Sequence, residues 1–205
     1  MSRIKDIPSF LLMLLMAPFV YSFMYQPAPP LLKFIIQRGS SLSIDGRTNI
    51  NKFACEISDY SHADTLTITK NQNDNTVEMM GGLTVNMEGF NCHNAAINAD
   101  LRKTLNTAAF PTMLIRFISM NKFPALSPIG DQVIGIAEIE LAGVRKRVEL
   151  TYTFKTDENK KVVLQGIKSV KFSDFNLIPP KKLGGMIQAK DNLDVLFYLD
   201  LKLIP

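Results

Sequence analysis

Asp131 to Phe154 reads DQVIGIAEIELAGVRKRVELTYTF, two alternating runs on either side of a two-residue break at Ala142 and Gly143. In the second run Val148, Leu150, Tyr152 and Phe154 fall on one face, with Arg147, Glu149, Thr151 and Thr153 on the other. A period of two places successive side chains on opposite faces of a strand, and a break of two residues is the length of a tight hairpin turn. The stretch therefore predicts an antiparallel hairpin with one apolar and one wet face.

The same rhythm extends through most of the chain after Ser41. TNINKFACEI aligns Phe53, Cys55 and Ile57, and GLTVNMEGF aligns Leu83, Val85 and Met87 against Thr84, Asn86 and Glu88. NQNDN, Asn71 to Asn75, has the composition of a hairpin loop. KVVLQGIKSVKF and DNLDVLFYLDLKL supply two further strands, the last alternating Val195, Phe197, Leu199 and Leu201 against Leu196, Tyr198, Asp200 and Lys202. One segment departs from it: in NAAINADLRKTLNTAAFP the apolar positions Ile97, Leu101 and Leu105 recur every four residues, Asn94 is placed to cap, and Pro111 forbids continuation. That spacing predicts a short helix lying on β-structure. About eight or nine strands with one early helix give a mainly β fold, an antiparallel barrel or a sandwich.

An eight-stranded barrel has an interior just wide enough to be filled by side chains or to hold one slender ligand. Ten methionines and thirteen phenylalanines, with no tryptophan, suit a deformable apolar wall. The same alternation also describes a solid β-core, so both interiors stay open on pattern alone.

A formal charge of +4 spread over 205 residues lacks the concentrated basic footprint of a nucleic-acid binder. At the N-terminus Arg3 and Lys5 precede an apolar run from Ile7 to Val20, with small or acceptable residues at Val20, Tyr21 and Ser22. Residues 1–22 read as a secretory signal peptide, with an uncleaved anchor as the alternative. Residues 23–40, which contain QPAPPL, read as a linker, and 41–205 as the folded domain. Either N-terminal reading delivers the domain outside the cytoplasm, to the periplasm, the cell surface or the medium. Cys55 and Cys92 are the only cysteines, each in Phe-x-Cys. In an oxidising compartment they read as a disulfide, two buried free thiols being the alternative. A nucleophilic Cys92 with His93 as base is disfavoured, because neighbours on an extended strand point apart. His62 and His93 do not form a metal-ligand spacing, and no nucleophile motif frames any serine, so neither a metal site nor a catalytic residue is expected.

Several segments, in order, resemble the YceI-like family of exported lipid-binding proteins: IDGRTNINKFAC (Ile44 to Cys55), DLRKTLNTAAFPTMLIRF (Asp100 to Phe117), VIGIAEIELAGVRKRVELTY (Val133 to Tyr152), VKFSDFNLIPP (Val170 to Pro180) and the closing VLFYLDL. The resemblance implies a lipocalin-like extended antiparallel barrel that binds, carries or sequesters an apolar chain lipid, such as an isoprenoid, a quinone or a fatty-acid-like amphiphile, without catalysis or cofactor. A structural or adhesion barrel without ligand is the alternative. The chain has no tryptophan and carries Asn176 where glycine is common, which places it nearer the cysteine-containing branch. The residues expected to line the lumen are Phe53, Val85, Met87, Ile115, Phe117, Val148, Leu150, Tyr152, Phe154, Phe197 and Leu199. Tyr152 alone among them offers a hydrogen bond to a head group. Val144 to Arg147, with Lys181 and Lys182, are candidates for transient contact with a membrane surface.

Overall fold

In a computed structural model, residues 30–204 are described, apart from 59, 61, 72, 73, 75 and 160. The expected signal peptide and the first part of the expected linker lie outside these residues. Eleven strands occur: β1 (Leu31–Ile36), β2 (Ser41–Thr48), β3 (Lys52–Ile57), β4 (Thr65–Lys70), β5 (Val77–Asn86), β6 (Thr112–Met120), β7 (Asp131–Leu141), β8 (Val144–Thr156), β9 (Val162–Lys171), the two-residue β10 (Lys181–Lys182) and β11 (Ile187–Ile204). Among the described residues there is one α-helix, α1 (Ala95–Leu105), which follows β5.

The strands pair antiparallel in the order β1-β4-β5-β6-β7-β8-β9-β11, and β1 pairs back onto β11, so eight strands close a barrel. Closure removes the unpaired edges that an open sheet exposes. The eighteen-residue β11 pairs with β9 along one side; along the other it pairs with β2 through Tyr198 and then with β1 from Leu201 to Ile204. The β2–β3 hairpin is thus an extension that leaves the closed ring toward α1.

The linker boundary requires correction, because Leu31–Ile36 is the strand that closes the ring. Phe34 and Ile36 point into the core, but the outward positions Leu31 and Ile35 are apolar too, so no period of two is visible. The segment then reads as a continuation of the apolar N-terminus. A second departure concerns Asp200, which lies on the outer face of β11 yet is buried. The turn between β1 and β2 covers it: Asp200 N–H donates to Ser40 Oγ, Ser40 Oγ donates to the Gln37 carbonyl, and Lys161 Nζ bonds Asp200 Oδ2 at 2.7 Å.

The β7–β8 hairpin forms as expected, with Asp131 opposite Phe154 and Leu141 opposite Val144. Its turn residues Ala142 and Gly143 both have positive φ, 50° and 79°, as a type I′ turn requires. Helix α1 is capped by Asn94, whose side chain accepts from the Ala96 and Ile97 amides, and ends at left-handed Asn106. Leu101 and Leu105 of the predicted stripe are buried, and Ile97 packs partly against the core.

The helix sits where β5 ends and β6 begins, beside the β2–β3 hairpin and the N-terminal part of β11. The opposite, far end carries the start of β1, the β4–β5 and β6–β7 connections and the end of β11.

Candidate functional site

Inward positions of β6, β8 and β11 bring Phe117, Tyr152 and Phe197 together in mid-barrel. Their ring centroids are 5.7 Å apart for Phe117–Tyr152, 5.9 Å for Tyr152–Phe197 and 6.3 Å for Phe117–Phe197, all in tilted or edge-on geometry. Each such pair adds about 0.5–1.5 kcal/mol beyond the burial of its area. Glycines in the neighbouring strands make room. A Cβ on Gly135 would lie 2.3 Å from Tyr152 Cε2, and one on Gly166 would lie 2.2 Å from Phe197 Cζ. The aromatic cluster therefore fills the middle of the lumen.

Tyr152 is fully buried, and its hydroxyl has no hydrogen-bond partner among the described residues. Burial pushes its pKa upward, keeping it a neutral donor. An unsatisfied buried hydroxyl costs about 1–3 kcal/mol.

Toward α1 the packing loosens. A wholly apolar cavity of about 40 Å³ is bordered by Met87, Leu101, Leu105, Met113, Ile115 and Phe172, among others. Outside it a groove of about 270 Å³ runs between β3, α1 and β10, with Phe53, Cys55, Ile97 and Ile187 in its wall. Leu101 and Phe172 border both spaces and stand between them. The rim is polar: Lys182 Nζ meets Asp100 Oδ2 at 2.8 Å, and Lys52 and Asn51 lie on the hairpin side. Wider depressions of about 810 and 640 Å³ lie on the outer face, lined by outward residues such as Asp45, Lys190, Thr151 and Tyr198. They are open troughs, without the apolar enclosure that a chain lipid needs.

Three local features hold the groove in place. Cys55 on β3 is bonded to Cys92, so the disulfide is formed. Beside it Glu56 and Asn91 exchange backbone hydrogen bonds of 3.0 and 2.9 Å, which pin the hairpin's outer strand to the segment leading into α1. Phe172 begins a single 3-10 turn, Phe172–Phe175, that ends on Asn176 at φ 57°. Asparagine tolerates that left-handed conformation, so it stands in for glycine without breaking the turn.

Of the eleven residues expected along the lumen, Met87 and Ile115 border the inner cavity and Phe53 borders the groove. Phe117, Tyr152 and Phe197 form the aromatic cluster. Val85, Leu150, Phe154 and Leu199 are buried in the core, and Val148 is only partly buried against it. The expected set is thus divided among a packed aromatic cluster, the inner cavity, the groove and the solid core, and does not surround one open channel. Leu101, Phe172 and Ile187 were absent from it. A helical spacing and a Phe-x-x-Phe pair mark the first two in the sequence, but neither pattern says that they face a common space.

The basic candidates divide. Arg145 Nε bonds Glu140 at 2.8 Å and Arg147 lies 3.8 Å from Glu138, whereas Lys146 and Lys181 are in no ion pair among the described residues. His93 Nε2 lies 3.2 Å from Glu56, exposed and beside a bonded cysteine. Among the described residues no three His, Cys, Asp or Glu side chains converge as a metal site, and no helix is long and apolar enough to cross a membrane.

Comparison with known proteins agrees with this architecture. The family model of the YceI-like domain matches residues 35–201. BcnA from Burkholderia cenocepacia is similar in structure, with a TM-score of 0.60 and 12% identity, over 78% of this chain and 95% of that one. A polyisoprenoid binding domain from Saccharophagus degradans, implicated in plant cell wall breakdown, gives a TM-score of 0.58 at 11% identity, over 84% of this chain and 99% of that one. No curated protein matches the sequence.

Proposed function

The chain belongs to the YceI-like family, and from that membership we propose that it binds and carries an apolar chain lipid in the cell envelope, without catalysis. The observation that carries the reading is the apolar cavity beneath α1, with a groove outside it and Leu101 and Phe172 bordering both. A chain end lying in the groove reaches the cavity by displacing those two side chains. Each methylene so buried contributes about 0.8 kcal/mol, which offsets the ordering of the chain once roughly ten carbons are covered. The disulfide fits delivery to an oxidising compartment. The likeness to a polyisoprenoid-binding domain supports an isoprenoid as cargo.

A second reading, a structural barrel without ligand, is favoured by the aromatic cluster. A cavity of 40 Å³ is far below the roughly 300 Å³ at which small-molecule sites begin. Mass spectrometry of organic extracts from the protein purified out of its native envelope separates the two. The carrier reading expects a discrete lipid, reduced several-fold in Ile97→Trp, where an indole blocks the groove from a partly exposed position with the fold intact. Extracts empty of lipid for both proteins establish the structural barrel instead.

A further inference from the structure

The end of the barrel beside the groove carries an apolar tip. Ile50, on the β2–β3 turn, is 61% exposed, Leu183 69%, Met186 75% and Ile178 78%. Scattered single apolar side chains are ordinary on a surface, but a cluster rimmed by charge marks an interaction site. The segments carrying Ile50, Leu183 and Met186 are held together by hydrogen bonds. Asn49 Nδ2 donates to the Met186 carbonyl at 2.8 Å, and Gln188 N–H donates to Asn49 Oδ1 at 3.1 Å. Met186 N–H closes the turn onto the Leu183 carbonyl, and Lys181 and Lys182 pair with Gln188 and Ile187. The β2–β3 turn and the connection into β11 are thus joined into one projection.

Its exposed charge is predominantly positive. Lys52, Lys181 and Lys190 are exposed and form no ion pair among the described residues. Asp100 is paired with Lys182, whereas Asp191, bonded by the amide and hydroxyl of Ser173 and held below the usual carboxylate range, keeps one negative charge beside them. Asp45 and Asp194, which share the outer trough with Lys52 and Lys190, lie farther back along β2 and β11. Apolar side chains ringed by unpaired ammonium groups match the surface of an anionic bilayer, where the apolar groups enter the acyl boundary and the lysines meet phosphates. A second copy of the chain fits less well, since a two-fold contact through this tip would set its lysines against each other.

We propose that this tip docks onto anionic phospholipid and thereby places the groove mouth on the bilayer. Ile50, Lys52, Pro180, Lys182 and Ile187 belong to both the projection and the groove wall, so docking covers the groove with lipid. Its purpose, exchange of cargo with the membrane, rests on the carrier reading above. Its geometry does not.

The test uses the full, oxidised chain labelled with an environment-sensitive fluorophore at Met186→Cys, or at Ile129→Cys on the far end, where Ile129 is also exposed. With vesicles of phosphatidylglycerol and phosphatidylethanolamine, the label at 186 shifts to the blue and the label at 129 does not. Pure phosphatidylcholine vesicles or high salt abolish the shift. Adding Leu183→Ser or the pair Lys181→Gln and Lys190→Gln weakens apparent affinity by about tenfold. A silent label at 186, an equal response at 129, a shift that depends on protein concentration without vesicles, or variants that bind unchanged each overturn the proposal. Lipid recovered from the envelope protein with 186 silent removes docking alone. A vesicle response with lipid-free extracts removes the carrier reading alone.

Discussion

At the far end of the barrel β1 runs between β4 and β11, so every ladder there is completed by a neighbouring strand. At the α1 end β11 pairs instead with β2, the β2–β3 hairpin leaves the ring, and a disulfide, one β-bridge and a helix cover the gap. Backbone pairing needs no particular side chains and leaves no space, whereas a helix laid across a gap packs only as well as its few apolar residues fit. The aromatic cluster lies in mid-barrel, where Phe197 is paired on both sides, with Gly166 of β9 and Leu42 of β2, and the cavity and groove lie under the helix. Space for a ligand is found where side chains have replaced strand pairing.

The largest expected effect falls on the covalent part of that cover. Cys55→Ser closes no loop, and for a separation of 37 residues the chain-entropy account assigns roughly 4 kcal/mol to the missing constraint. Chemical denaturation should show a loss of this order with the far-ultraviolet β signal kept. A loss under 1 kcal/mol would mean that the hairpin holds its place without the bond. Leu101→Ala should follow, at about 2 to 4 kcal/mol, because it enlarges an existing void that the barrel cannot collapse. A near-zero change would put the helix off the core.

Effects in the paired part should be smaller and of the opposite sign. Tyr152→Phe removes the orphan hydroxyl and leaves the rings in place, so the ligand-free protein should gain about 1 kcal/mol. A loss of similar size would show that the hydroxyl has a partner, and lipid extracts of the same variant would then identify it as cargo or water. In the β7–β8 turn, at the α1 end but on fully paired strands, Ala142→Asn should add about 0.5 to 1 kcal/mol, since asparagine accepts the left-handed conformation that alanine resists. An unchanged unfolding midpoint would relocate the strain.

The smallest effect is a pH dependence at the far end. The Ala125 amide, and after it the Lys122 ammonium, bond Asp131 and hold its carboxyl below the ordinary range. A lowered folded pKa contributes stability that is present above the unfolded value of about 3.9 and lost as pH falls through the folded one. Asp131→Asn should therefore flatten the acid limb of the stability curve without moving the α1 end. An unaltered limb would remove Asp131 from the acid response.

Period-two runs fixed most strands by themselves, because a strand with one buried face repeats its chemistry every second residue. The β7–β8 turn was legible to the residue, and so was the start of α1 at Asn94, whereas its end was not: Pro111 sets only an outer limit, and the helix stops earlier, at left-handed Asn106. β1 was not legible, because apolar residues on both faces erase alternation. The disulfide could be anticipated from two cysteines and an oxidising compartment, although its partner strand could not. What only the tertiary structure decided was the interior. Sequence places Phe117, Tyr152 and Phe197 on one apolar wall, but whether the rings meet or leave a channel depends on strand register and on the glycines of the strands beside them. In the same way, the groove exists because Leu101, Phe172 and Ile187, distant in the chain, border one space under a helix. Alternation specifies which side of a strand is apolar; the distance across the barrel is set by pairing between strands that no single segment encodes.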